Sequence, residues 1–279
     1  MQNPQSRAAS RPITEAIAKV LKEGAIAALA TLIEASANVG SKLLVEESGL
    51  RVGSLGDREL DDALFGYVPN FLESHEEARA FEIKEIAPEL RTWSNARVLF
   101  ERIQPEARIV ICGAGHVGAT LAKVASLIGY RATLIDDRAE FVTRQRFPDE
   151  RIELITAKTW TEGVREAVGN GRGVSVAVVT RGHNEDEECM RAINSTDADY
   201  IGLIGSKRRT NIVLERLREA GAEEEQLKQV RAPVGLDIGA VTPEEVALSI
   251  LAEIVAERRG GKGGSLSAWR RNNRSKKES

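Results

Sequence analysis

Apolar positions along the chain fall into two regimes. Up to about Ile86 they are mixed in period. Thr14 stands where it can cap a helix whose apolar residues Ile17, Val20 and Leu21 share a face, and Gly24 closes it. Extended runs follow at Ala25–Ile33, Lys42–Val45 and Leu50–Val52, and the Ser48-Gly49 turn between the last two signals a hairpin. The stretch 88–107 is irregular, broken by Pro88 and Pro105, and reads as a linker whose strand-like segment Val98–Ile103 leads into a second domain.

From Arg108 short aliphatic runs alternate with helical stretches. Candidate strands are Arg108–Cys112, Arg131–Asp136, Arg151–Ile155, Val174–Val179 and Tyr200–Ile204. Candidate helices between them are Val117–Ile128, Ala139–Arg146, Thr161–Val168 and Asp186–Ile193. This alternation predicts an α/β fold: a Rossmann-like, doubly wound, mostly parallel sheet with helices on both faces. A last helix opens at Thr242, with Pro243 at its first position and Glu245 completing a capping box. Its stripe Val246, Ile250 and Ile254 should pack on the body. The expected organisation is a smaller α+β domain over 1–87, a linker over 88–107, a Rossmann-like domain over 108–260 and a basic, disordered tail over 261–279.

Composition narrows this picture. Hydrophobic residues make up 42% of the 279 and charged residues 29%, the balance of a soluble protein with a real core. Only 4% are aromatic, which favours aliphatic parallel strands over an aromatic-rich sandwich. Cys112 and Cys189 give no disulfide framework, and neither an apolar leader nor a bilayer-length apolar run is present. A cytoplasmic protein that does not engage membranes is expected. The net charge of −3 hides a basic tail: from Arg258 onward eight Lys or Arg face Glu278 alone, leaving the body strongly acidic. Such a body is a poor nucleic-acid binder. A helix-rich surface leaves a homodimer open.

The chemistry begins at RIVICGAGHVGATLA, where Gly113, Gly115 and Gly118 follow a strand and open a helix in GxGxxG spacing. Gly113 suits the sharp turn, Gly115 lets amides approach a phosphate, and Gly118 lets the helix lie against the strand. The helix end adds unpaired N–H groups and a positive dipole end. The next strand ends at Asp136, with Asp137 beside it, where a carboxylate can accept hydrogen bonds from a ribose diol. That acid favours NAD or another nucleoside-like ligand over a 2′-phosphate. A tight turn without a ligand is the plainer alternative.

In a doubly wound sheet all strand C-termini open on one edge, where ligands sit. The loops there are Gly113–His116, Asp136–Arg138, Thr180–Asp186 and Gly205–Arg209, and they hold His116 and His183, two of the three histidines. His183 is a ligand contact, a proton donor or a structural histidine; it is the one candidate catalytic residue. Asp186, Glu187 and Glu188 read as ordinary helix-dipole partners. Gly205 and Ser206 precede Lys207, Arg208 and Arg209 at a helix start, where cations are disfavoured unless an anion is held there. The alternative is an exposed cluster offset by nearby acids. Cys112, His116, His183 and Cys189 lack metal-ligand spacing, so no metal site is assigned. No GxSxG, HExxH or Walker lysine motif occurs.

Taken together, ICGAGHVG (111–118), TRGHNED (180–186), YIGLIGSKRR (200–209) and APVGLDIGAVTPEEVALSILAEIVAERRG (232–260) resemble the XdhC/CoxI family. More faintly, SANVGSKLLV (36–45) and GSLGDRELD (53–61) resemble two motifs of its first domain, without the family's Pro-Arg pair and with its glycine triplet reduced to Gly56. Glu59 is a candidate there by its place in the motif alone. The resemblance implies an accessory protein rather than a catalyst. Such a chaperone binds the molybdenum cofactor as molybdopterin cargo, shields it while a cysteine desulfurase sulfurates it, and docks with an apo-molybdenum hydroxylase of the xanthine dehydrogenase type. On this reading Gly113, Gly115 and Gly118 hold phosphate, Asp136 a ribose or pterin hydroxyl, Lys207 or Arg208 a second anionic group, and His116 and His183 line the pocket mouth. The rival is an NAD-dependent oxidoreductase using His183, although the first domain offers only His75 and scattered acids for a substrate constellation. A nucleotide-sensing regulator is a third possibility.

Overall fold

The computed structural model describes residues 4–267. The far tail, Trp269 included, lies outside the described residues. Two compact units divide the chain at Glu106 and Ala107.

The first unit contains α1 (Pro4–Glu23), β1 (Ala27–Glu34), β2 (Lys42–Glu46), β3 (Arg51–Ser54), α2 (Arg58–Glu73), β4 (Ala78–Glu82), α3 (Ile83–Ile86) and β5 (Arg97–Ile103). Its strands form one antiparallel sheet in the order β3-β2-β1-β5-β4. Alternation along β1 explains the layers. Ala28, Ala30 and Leu32 join Leu60, Leu64, Val68 and Phe71 of α2 in one cluster. Ala27 and Leu29 turn the other way, towards Ile13 and Val20 of α1.

Three expectations change here. Thr14 does not begin a helix, because α1 starts ten residues earlier and runs through Pro12. Ala8 and Ala9 favour the helix, and a single proline removes only one of its hydrogen bonds. The buried face is then Ile13 and Val20 with Ala16 and Ile17 half-covered, while Leu21 is exposed. Nor is 88–107 a linker. Val98–Ile103 lies in β5, which pairs with both β1 and β4 and is buried at Val98 and Phe100, so these residues complete the first unit.

The second unit contains β6 (Arg108–Cys112), α4 (His116–Leu127), β7 (Arg131–Asp136), β8 (Ile152–Thr156), α5 (Trp160–Val168), β9 (Val174–Val178), α6 (His183–Ile193), β10 (Tyr200–Leu203), α7 (Lys207–Glu219), α8 (Glu224–Gln229) and α9 (Pro243–Arg259). The sheet is fully parallel, in the order β10-β9-β6-β7-β8. That is the doubly wound order, reversing direction between β6 and β9. Both faces are covered, which is why the strands are near-continuous aliphatic runs. Ile109, Ile111 and Leu134 pack with Leu121 and Ala125 of α4 and Ile250 and Ile254 of α9. Val110, Cys112, Val176 and Val178 pack with Val164 of α5, Ile193 of α6 and Val213 of α7. The capping box at Thr242 and Glu245 is present.

The helix expected over Ala139–Arg146 is only a 3₁₀ turn at Ala139–Phe141. Three guanidiniums replace it as fasteners. Arg138 stacks on the Phe141 ring at 3.7 Å, and Arg146 lies over the same ring at 4.9 Å while donating to the Phe141 carbonyl at 2.7 Å. Arg144 donates to the carbonyls of Asp149 and Ile152. The buried Phe147, followed by Pro148, anchors this loop to the core.

Candidate functional site

The parallel sheet brings the four expected loops to its C-terminal edge. β6 leads into the glycine turn, β7 into Asp136–Arg138, β9 into Thr180–Gly182 and β10 into Ile204–Ser206. At the turn, Gly113 has φ +116°, and a Cβ there would stand 2.6 Å from the Val179 carbonyl oxygen. A Cβ on Gly118 would lie 1.8 Å from the Gly113 carbonyl oxygen. Both glycines are imposed by close approach of backbone. Gly115 is different: a Cβ there would meet nothing within 4 Å. It is the N-cap of α4, and no side chain caps that helix end. Neither a capping side chain nor a Cβ at the N-cap thus screens this helix end, the arrangement that suits an anion.

The acid after β7 is not where a ribose could use it. Asp136 is 1% exposed, and its two oxygens accept from the Ala114 amide at 2.7 Å, the Arg138 amide at 3.0 Å and the Arg138 guanidinium at 2.8 and 3.0 Å. Burial pushes its carboxyl up, but Arg138 and the two amides together hold it below the ordinary carboxylate value. Asp136 thus fastens the glycine turn to the neighbouring loop. Asp137 is engaged as well, by both terminal nitrogens of Arg181 at 2.7 Å each, which ties the β7 loop to the β9 loop.

Asp186 also differs from expectation. It is fully buried and accepts from the Thr180 hydroxyl at 2.6 Å and from Arg209 Nε at 2.9 Å. Burial outweighs these partners and raises its carboxyl above the ordinary value. Asp186 therefore clamps the β9 loop to the start of α7, and Arg209 is spent on it. Glu187 pairs with Arg191 and Arg216, and Glu188 accepts from the Thr161 amide and hydroxyl.

Lys207 and Arg208 have no such partners. Both are exposed at the first two positions of α7, with no ion pair among the described residues. Of the three cations expected at this helix start, then, Arg209 is the one offset by an acid among the described residues. Ser206 is the N-cap and accepts from the Arg209 amide, and Gly205 lies beneath the Arg209 side chain. His116 and His183 stand exposed at the first positions of α4 and α6. Cys112 and Cys189 are buried thiols. Among the described residues no three His, Cys, Asp or Glu converge to hold a metal, and no helix is long and apolar enough to cross a membrane.

Beside Gly205 the sequence reading missed a cavity of about 400 Å³, walled by Ile204, Leu236, Asp237 and Ser249 among others. The segment 233–240 forms its rim. Glu253 of α9 holds that segment by accepting from the Gly235 amide at 2.9 Å, and the Tyr200 hydroxyl donates to the same carboxylate oxygen. The clustered glycines of APVGLDIG were the available signal. Their meaning needed the contact between this segment and β10.

The family model for the XdhC Rossmann domain matches residues 109–254. Over 159 residues the chain is 34% identical to an uncharacterized protein, YqeB, of Escherichia coli K12, covering 57% of this chain and 29% of that one. It is 31% identical over 162 residues to a probable xanthine dehydrogenase subunit of Bacillus subtilis 168, covering 58% and 46%. It is 26% identical over 155 residues to the molybdenum cofactor insertion chaperone PaoD of Escherichia coli K12, covering 56% and 41%. The match spans less than half the length of each of these relatives. A solved structure described as a xanthine dehydrogenase from Bacillus halodurans shares the fold, with TM-score 0.65 and 21% identity over 90% of this chain and 67% of that one. The family match takes in the whole edge just described, from within β6 into α9 and over half of the chain, and the chain belongs to the XdhC family.

Proposed function

We propose that the chain is an accessory protein that binds the molybdenum cofactor as cargo and delivers it to a xanthine dehydrogenase-type hydroxylase. The observation that carries this reading is the open, uncapped start of α4 at Gly115, which offers backbone amides to a phosphate. The unpaired cations Lys207 and Arg208, two strands away on the same edge, supply a second anionic contact. Molybdopterin carries a phosphate, and its dinucleotide form carries a pyrophosphate, so the cargo matches both features. The exposed His116 and His183 stand at helix starts on this edge and would face the metal-bearing end. The relative named as a molybdenum cofactor insertion chaperone and the one named as a probable xanthine dehydrogenase component support the client class. A cysteine desulfurase that sulfurates the held cofactor, and a cytoplasmic setting, belong to the same proposal.

An NAD-dependent oxidoreductase gains nothing from the geometry. The carboxylate that its ribose would need is buried and fully engaged.

The test is to incubate the purified chain with molybdopterin, desalt it, oxidise the sample and read pterin fluorescence. Stoichiometric retention, and restored activity of an apo-hydroxylase on mixing, are expected. Recovery of no fluorescent pterin would sink the proposal.

A further inference from the structure

The first unit holds a separate cavity of about 520 Å³ that the cofactor reading does not use. Its floor is apolar: Ile26 and Val45 from the sheet, and Phe65, Val68 and Leu72 from α2. Two features keep it open. Gly66 lies on its wall within α2, and a Cβ there would meet nothing within 4 Å. Gly49, at φ +88° in the β2–β3 turn, adds no side chain on the opposite wall, where a Cβ would stand 4.0 Å from Phe65 Cζ. The ring is held in place by the Arg51 guanidinium, 4.3 Å from its centroid, which is itself paired to Asp62 at 2.6 Å.

Carboxylates outnumber the other polar side chains around this floor, which are Arg102 and His75. Pro69 has no N–H, so the Phe65 carbonyl loses its usual donor four residues on and remains an acceptor on the same turn as Gly66. Glu46, Glu47 and Glu73 line the cavity against one guanidinium, that of Arg102. Arg102 already donates to the carbonyls of Leu72 and Glu76. Glu47 accepts from the Ile26 amide at 3.3 Å, whereas the carboxylates of Glu46 and Glu73 have no hydrogen bond or ion pair among the described residues.

We propose that this cavity is a binding site for a small molecule with an apolar, preferably aromatic, body and a cationic amine. The body would lie between α2 and the sheet, and the amine would reach Glu46 and Glu73. The volume is that of a small-molecule site, and an apolar floor with a few polar groups at its rim, here two carboxylates without a partner among the described residues, is what orients such a ligand. The proposal is independent of the cofactor reading.

The experiment titrates the full-length chain with Nile red, a neutral apolar fluorophore, and then displaces it with tryptamine or with indole-3-propionate. Saturable binding is expected, with tryptamine displacing the probe at roughly tenfold lower concentration than the acid. Gly66→Leu should weaken Nile red binding at least tenfold with an unchanged circular dichroism spectrum. Glu46→Gln with Glu73→Gln should keep the probe and abolish the preference for the amine. Absence of saturable binding, equal displacement by amine and acid, or a preference that survives the double substitution would each overturn the proposal. Should Gly66→Leu disturb the fold, the double variant decides alone.

Discussion

The carboxylate of Asp136 accepts a hydrogen bond from the Ala114 amide at 2.7 Å, which joins the acid at the end of β7 to the glycine turn after β6. One amide of the turn is therefore already taken, and any anion must be met further on, at Gly115 and the first turn of α4. The same carboxylate neutralises Arg138, so the position where a ribose-binding acid was expected presents a closed ion pair.

Asp136→Asn should accordingly destabilise the second unit by about 2 to 3 kcal/mol, since a buried acceptor loses its charge while the Arg138 guanidinium keeps its own. The pH dependence has a definite sign. The folded carboxyl lies below its unfolded value, near 3.8, so the unfolded chain binds more protons around that pH. Stability from Asp136 is complete above that value and is lost as pH falls through the folded one. Urea denaturation between pH 3 and 6 should show a flatter acid limb for the variant. An unchanged midpoint would mean that the tie carries no stability.

The glycine turn separates packing from binding. Gly118→Ala places a Cβ 1.8 Å from the Gly113 carbonyl oxygen and should cost at least about 3 kcal/mol, because backbone must move. Gly115→Ala meets nothing, so its cost should stay below about 1 kcal/mol, the loss of a favoured N-cap residue. If the α4 start holds phosphate, Gly115→Ala should still weaken pterin retention about tenfold, as its methyl stands in the anion's path. Thermal melts and the pterin retention assay, run on both variants, distinguish the two roles.

Much of this was legible because a parallel sheet is written in its strands. The runs RIVIC, RATLID, VSVAV and YIGL, alternating with helical stretches, read as strands of a parallel sheet buried on both faces, and the three glycines announced the first turn. What was illegible depended on partners distant in sequence. Whether Asp136 faces a ligand or the Ala114 amide is decided by the packing of β7 beside β6, and whether Asp186 is a dipole partner or a buried clamp depends on Arg209, 23 residues on. β5 was misplaced because its pairing partners, β1 and β4, precede it, while the prolines around it mimic a linker.

Lys207 and Arg208 stand against the positive end of α7 with no acid to compensate. Lys207→Ala with Arg208→Ala should therefore leave the free protein as stable as before, or more stable by a few tenths to about 1 kcal/mol for each cation removed. Retention of molybdopterin should fall about tenfold or more, and its dependence on salt should become shallower. Retention unchanged by the double substitution would place the second anionic contact elsewhere.

Tyr200 is buried, and its hydroxyl donates to the Glu253 carboxylate that also holds the Gly235 amide. Burial and the adjacent Glu253 carboxylate push the phenol well above its ordinary value, so it remains a donor throughout the neutral and mildly alkaline range. Tyr200→Phe removes that donor without changing the ring, at a cost of about 1 to 2 kcal/mol. The larger consequence is local. Glu253 would keep only the Gly235 amide, and its hold on the segment 233–240 that rims the cavity beside Gly205 would loosen, leaving the backbone bonds of Val234 to Leu203 and of Leu236 to Ser249. Hydrogen exchange should quicken at the Gly235 and Leu236 amides while the β6 and β9 amides stay protected. If those two amides exchange no faster in the variant, the rim is held by the backbone bonds of Val234 to Leu203 and of Leu236 to Ser249, and Tyr200 serves only to fill the core.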